Sequence, residues 1–199
     1  MRKLLLLLGV VGLFVLTGCA AVGEQAEDPG YFLGNEDASV VISQYTDYQC
    51  PACGSFHAGP FQLIKAQYID TGLVKYESND YPLPFHNFAR PAHQASYCAG
   101  EQDPEKYWEM GDTLYRNNTD LTRRSLTRYA EELELDVDAF DTCVDERRYK
   151  DVIEANMADG LGIGVRGTPS VYIDGVHINH SDFNEVKGIL DQALGLSSE

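Results

Sequence analysis

The chain has 199 residues, 44% of them apolar and 11% aromatic, with 31 acidic against 15 basic side chains. That length suits one domain with room for an elaboration and a sizeable core, and the apolar content is too high for a disordered chain. A formal charge of −16 excludes nucleic acid as a partner, because phosphate binding needs a basic face.

In chain order, the first feature is a charged start, Arg2-Lys3, followed by an apolar run from Leu4 to Leu16 broken only by Gly9 and Gly12. This is the layout of an export signal and is short for a membrane span. It ends in Leu16-Thr17-Gly18-Cys19, which resembles the bacterial lipoprotein signal. That resemblance implies cleavage before Cys19 and a diacylglycerol on its sulfur. The alternatives are an ordinary signal peptide cut nearby and an uncleaved anchor. Residues 1–18 are therefore expected to be a signal peptide, and the domain to sit outside the cytoplasm on a lipid anchor. Losing residues 1–18 leaves 13 basic against 31 acidic side chains, a charge of −18 over 181 residues. No basic run remains to hold a lipid surface. The five cysteines then divide into Cys19 and an even set: Cys50, Cys53, Cys98 and Cys143.

Residues 19–37 lack periodicity and read as a tether. Ser39 to Tyr45 is rich in β-branched residues and predicts a buried strand. After Asp47-Tyr48-Gln49-Cys50-Pro51-Ala52-Cys53, a helical pattern runs through Phe56, Phe61, Ile64 and Tyr68. Leu73 to Ser78 predicts a second strand, parallel to the first across the helix. From residue 85 to 160 the pattern is helical, with stretches at 89–99, 107–114, 124–132, 139–143 and 149–158. Ser170-Val171-Tyr172-Ile173 predicts a strand, Asp174-Gly175 a tight turn, and Val176 to Ile178 its hairpin partner. A helix over Ser181 to Leu194 closes the chain. The order is βαβ, a helical block, then ββα.

Cys50-Pro51-Ala52-Cys53 lies where a strand gives way to a helix. There the first sulfur meets free N–H groups and the positive end of the helix dipole, which favour thiolate. Pro51 at the helix start costs no hydrogen bond. Cys50 is thus the expected attacking sulfur and Cys53, one turn inside, the resolving one. Zinc is the usual competitor for such a pair, but it needs more ligands than this motif offers. Gly167-Thr168-Pro169 precedes a strand, where a proline is compatible with an ordinary turn or with a cis Thr168–Pro169 bond.

With these pieces in this order, the sequence resembles the DsbA-like thiol–disulfide oxidoreductases of the thioredoxin superfamily from about Phe32 to Leu194. Gly34-Asn35-Glu36-Asp37-Ala38, the Cys50–Cys53 motif and Gly167 to Gly175 carry the likeness. It implies an α/β thioredoxin fold, built from residues 38–84 and 161–196, with residues 85–160 inserted as a helical block. It also implies that Pro169 is cis and packs on the disulfide, that Thr168 offers backbone groups to substrate, and that Pro51 and Ala52 tune the cysteines. Relatives often carry Glu six residues before the first cysteine as a proton relay, whereas this chain has Gln44. Asp47 is the nearest carboxylate, expected to cap the active-site helix rather than to move protons. Strongly oxidising members carry His between the cysteines. Ala52 supplies no such donor, so a milder oxidant is expected.

Cys98 and Cys143 match paired positions in some relatives, which implies a structural disulfide; a second redox pair is the alternative. His57 follows Cys53 by one turn, so Cys50, Cys53 and His57 form a candidate copper or zinc set, against a plain packing role. The expected function is introduction of disulfides into reduced exported proteins or peptides, by a monomer needing no cofactor or metal. By resemblance, a membrane re-oxidant of the DsbB or VKOR type restores it. A reductase or isomerase, or a metallochaperone, are the alternatives.

Overall fold

The structure is a computed structural model and describes residues 25–179 and 182–196. Cys19 and the expected signal peptide lie outside the described residues. Five strands form one sheet in the order β1-β3-β2-β4-β5: β1 (Phe32–Gly34), β2 (Val41–Thr46), β3 (Lys75–Asp80), β4 (Ser170–Ile173) and β5 (Val176–Ile178). β2 and β3 run parallel, with Ile42 opposite Tyr76 and Gln44 opposite Ser78, and the other pairings are antiparallel. β2 reads as an apolar run because it is central and hydrogen-bonded on both edges. The β4–β5 turn takes Asp174 and Gly175 through positive φ (48° and 78°), the backbone that a two-residue hairpin requires.

β1 lies inside the segment 19–37 that the sequence suggests is a tether. Phe32 pairs with Glu77 and Leu33 with Tyr76 on the sheet edge. Upstream, the Tyr31 ring sits 4.5 Å from that of Tyr107, and the Ala26 N–H donates to the Arg148 carbonyl at 3.0 Å. The domain therefore begins by residue 26. Three residues of strand carry no period of their own, so only their partner reveals them.

The expected helix after Cys50 is broken into three pieces: α1 (Pro51–Ala58), α2 (Pro60–Ile64) and a π-helical turn (Lys65–Ile69). Gly59-Pro60 explains the first break, since Pro60 has no N–H to continue the ladder. Phe56, Phe61, Ile64 and Tyr68 face one side of the sheet, where Val186 and Leu190 of α8 (Phe183–Ala193) complete a buried cluster with Ile42, Val171 and Ile173. The helical block comprises α3 (Ala89–Gly100), α4 (Pro104–Arg116), α5 (Arg123–Glu132) and α6 (Val137–Glu146), with α7 (Lys150–Gly162) closing the sheet's second face. Gly160 lets α7 pack flat, because a Cβ there would stand 2.8 Å from the Tyr45 ring.

Asp80, at the end of β3, ties these layers together. Its buried carboxylate accepts from Tyr97 OH at 2.8 Å and Asn156 Nδ2 at 2.9 Å, and faces His93 Nδ1 at 2.5 Å. The order βαβ, helical block, ββα is the thioredoxin fold with a helical insertion. α7 runs to Gly162, so the insertion's expected boundary at 160 falls within that helix.

Candidate active site

Cys50 ends the loop after β2 and takes the N-cap position of α1, with extended backbone (φ −75°, ψ 121°) and Pro51 in the first helical position. Cys50 and Cys53 are both free thiols; Cys50 is nearly buried and Cys53 entirely so. The cis peptide Thr168–Pro169 lies opposite, and in its thiol form Cys50 donates to the Thr168 carbonyl at 3.4 Å. The fold thus brings Cys50, Pro51, Ala52, Cys53, Thr168 and Pro169 to one place from segments 118 residues apart in sequence.

As a thiolate, Cys50 accepts a hydrogen bond from the Cys53 thiol, and this outweighs the cost of burial. The buried Thr168 hydroxyl, which has no other partner among the described residues, and the N–H groups of Cys53 and Ala52 add to it. Together they lower Cys50 from an ordinary 9.0 to about 5. Burial pushes the Cys53 thiol in the opposite direction, and the neighbouring Cys50 raises it further. One sulfur is poised as nucleophile and leaving group while its partner holds its proton, the division of labour that thiol–disulfide exchange requires.

Beneath Cys53 lies a polar floor that sequence reading missed. The Thr46 hydroxyl hydrogen-bonds to Cys53 and stands 2.6 Å from Tyr115 OH, in a buried pair. Gln44 is buried beside it, with Oε1 accepting from Tyr76 OH at 2.5 Å and Nε2 without a partner among the described residues. No local pattern reveals Tyr115, because it comes from α4, 69 residues away from Thr46.

Asp47 is fully buried and does not cap α1, whose N-cap makes no side-chain hydrogen bond. Its Oδ1 accepts from the Gln49 N–H at 2.7 Å, while Oδ2 accepts from the Leu83 N–H at 2.8 Å and faces His86 Nδ1 at 2.7 Å. The short loop to Cys50 leaves the carboxylate facing the 81–88 segment rather than the helix end. His57 is likewise occupied. Its Nε2 contacts Asp112 at 2.9 Å, and its ring stacks on Tyr115 and Phe61. Among the described residues, no three His, Cys, Asp or Glu side chains are grouped to hold a metal ion, so the set Cys50, Cys53 and His57 is not assembled. Cys98 of α3 and Cys143 of α6 are joined in a disulfide, with Cα atoms 5.8 Å apart.

A family model described as thioredoxin matches residues 26–192. The chain is 27% identical over 171 residues to a probable disulfide bond formation protein D of Bacillus cereus, covering 81% of this chain and 77% of that one. It is 31% identical over 158 residues to Na(+)/H(+) antiporter NhaA 3 of Salinispora tropica, but spans only 23% of that protein's length. Among solved structures, BdbD from Bacillus subtilis in its oxidised form superposes with a TM-score of 0.77 at 25% identity, over 86% of this chain and 97% of that one. No helix among the described residues is long and apolar enough to cross a membrane.

Proposed function

Since this chain belongs to the thioredoxin family, we propose that it is an extracytoplasmic thiol–disulfide oxidoreductase that introduces disulfides into reduced exported proteins or peptides. The observation that carries this reading is the pairing of a low-pKa Cys50 at the N-terminus of α1 with a fully buried Cys53 behind it.

In the oxidised enzyme a substrate thiolate attacks Cys50 Sγ, the Cys50–Cys53 bond breaks, and Cys53 leaves and takes up a proton. A second substrate thiolate then attacks the substrate sulfur of the mixed disulfide. Cys50 departs as a thiolate, and the substrate gains its disulfide. Two electrons pass to the enzyme, and a membrane re-oxidant of the DsbB or VKOR type removes them. A Cys50 pKa of about 5 favours the oxidising direction, because it stabilises the reduced form. It falls between roughly 7 for a thioredoxin cysteine and roughly 3.5 for that of DsbA, consistent with an oxidant of intermediate strength.

Pro51 and Ala52 shape the turn between the sulfurs, and Thr168 with Pro169 offers backbone to an extended substrate. The Cys98–Cys143 bond serves as a structural brace, since both sulfurs are buried away from substrate. Cys19 carries the lipid that holds a monomeric domain at the membrane.

The test is oxidation of a reduced, unfolded model protein by the purified oxidised enzyme. One disulfide should form per enzyme, and none with Cys50→Ser. Replacing Cys53 with Ala should trap clients and the re-oxidant on Cys50 as mixed disulfides. A wild-type enzyme that forms no substrate disulfide, but reduces disulfides when supplied with electrons, would overturn the oxidase direction.

A further inference from the structure

A cavity of about 640 Å³ opens in the helical half of the molecule, away from the cysteines. Its wall is made where α3, α5 and α7 begin: residues 87–91, 121–123 and 147–150. The positive dipole ends of three helices therefore face it, although several N–H groups there are already bonded, Phe88 to Gln49, Ala89 to His86, Ser125 to Thr122 and Lys150 to Arg147. Four of the chain's 15 basic side chains line it: Arg90, Arg123, Arg147 and Lys150. Arg90 is paired with Glu154, and Arg123 with Asp141 and Asp145. Arg147 and Lys150 are exposed and make no ion pair among the described residues. They share the lining with Asp145 and Glu154, whose carboxylates are taken by Arg123 and Arg90.

A second observation also points to a ligand. Gln94 lines the cavity although it is only 4% exposed, and its Oε1 accepts from the Tyr149 N–H at 3.0 Å. Among the described residues, its Nε2 has no hydrogen-bond partner. The floor is apolar, formed by Leu121, Val144 and Ile153. Cations and helix N-termini above an apolar floor suit an anionic group attached to a hydrophobic body.

We propose that this cavity binds the phosphate-bearing headgroup of an anionic phospholipid. The choice of lipid rests on the lipid-anchored reading of Cys19. The described chain starts beside the cavity, since the Ala26 N–H donates to the carbonyl of Arg148, next to Arg147. Six residues separate Ala26 from Cys19, and the seven Cα–Cα steps span at most about 25 Å when extended. An acyl chain at Cys19 would therefore hold the basic wall within reach of the headgroups. The fold gathers from three separate segments a basic surface that no run of the sequence displays. Docking there would also fix the active site relative to the membrane, because Phe88 on the wall donates its N–H to Gln49 Oε1 at 2.8 Å, one residue before Cys50.

The test titrates the full-length protein with dihexanoyl-phosphatidylglycerol below its micelle concentration, dihexanoyl-phosphatidylcholine and inorganic phosphate, read by calorimetry and by thermal midpoint. Saturable binding of the phosphatidylglycerol alone is expected, weakened roughly thirtyfold in an R147A/K150A variant whose disulfide exchange at Cys50 is unchanged. Equal binding of the zwitterionic lipid, equal binding of inorganic phosphate, or undiminished binding by the variant each overturns the proposal. Lipid attachment is read separately, from the mass of the N-terminal peptide, so either reading can fail without the other.

Discussion

The Oδ2 atom of Asp47 lies 2.7 Å from Nδ1 of His86, 39 residues away, and the same oxygen accepts the Leu83 N–H at 2.8 Å. With Gln49 Oε1 holding the Phe88 N–H at 2.8 Å, these contacts latch the 81–88 segment onto the loop that presents Cys50. Asp47→Ala would leave the Leu83 N–H without its acceptor against a buried wall. A loss of about 2–4 kcal/mol is expected, at the upper end for two bonds to a charged acceptor. Urea denaturation measures it. His86→Ala keeps both backbone bonds to Asp47 and should cost clearly less, so equal losses would contradict the latch.

How much of this could be read from residues alone follows from the distance over which each feature is encoded. The Cys50–Cys53 turn and the Asp174-Gly175 hairpin are written in neighbouring residues, and the fold keeps them where the sequence suggests. Gly59-Pro60 was a visible sign that the helix after Cys53 is interrupted, but the run of Phe56, Phe61, Ile64 and Tyr68 masks it, because all four face the same cluster across the break. β1 is three residues long and owes its existence to Lys75–Glu77. Asp47 has a local reading as helix cap, displaced by His86, a partner that only the tertiary fold supplies. For His57 the plain packing role holds over the metal set, with Asp112, Phe61 and Tyr115 as the partners.

Gln44 tests how Cys53 sheds its proton. Cys53 must ionise before it can attack a mixed disulfide, yet its hydrogen-bond neighbours Thr46 and Cys50 are poor bases, and the amide of Gln44 does not titrate. Gln44→Glu places a carboxyl beside the Tyr76 hydroxyl, in the position where relatives carry a relay acid. Attack by Cys53 on a mixed disulfide at Cys50 should quicken by at least roughly tenfold near neutral pH, as for an added general base. Stability should fall, because the new carboxyl is buried. Single-turnover release of a trapped peptide gives the rate, and an unchanged rate would show that proton removal from Cys53 is not limiting.

The Cys98–Cys143 bond closes a loop over a separation of 45 residues, between two helices of the insertion. Chain entropy alone gives such a closure a stabilisation of roughly 4 kcal/mol. Replacing both cysteines with alanine should lower stability by an amount of that order and leave oxidation by Cys50 intact. Glutathione should reduce the Cys50–Cys53 bond while leaving Cys98–Cys143 oxidised, which thiol-labelling mass spectrometry reads directly. Reduction of both pairs at one potential would instead favour a second redox couple.

The lowered pKa of Cys50 makes the stability of the reduced protein depend on pH in a defined direction. An unfolded thiol ionises near 9.0, whereas the folded one does so at about 5. Between those limits the folded protein carries a thiolate where the unfolded chain carries a thiol, so folding releases a proton and stability rises with pH. The contribution is complete above about pH 9 and lost as pH falls through about 5. Cys53 does not disturb this window: its pKa is raised by burial, so its effect sets in only above the ordinary thiol value. The oxidised protein has no free Cys50 thiol to ionise in either state. The thermal midpoint of the reduced form, measured relative to the oxidised form, should therefore climb from pH 5 to pH 9. Cys50→Ser should remove the Cys50-dependent part of that slope. If both redox forms climb in parallel, the slope belongs to other groups, and the Cys50 thiolate is not what stabilises the reduced enzyme.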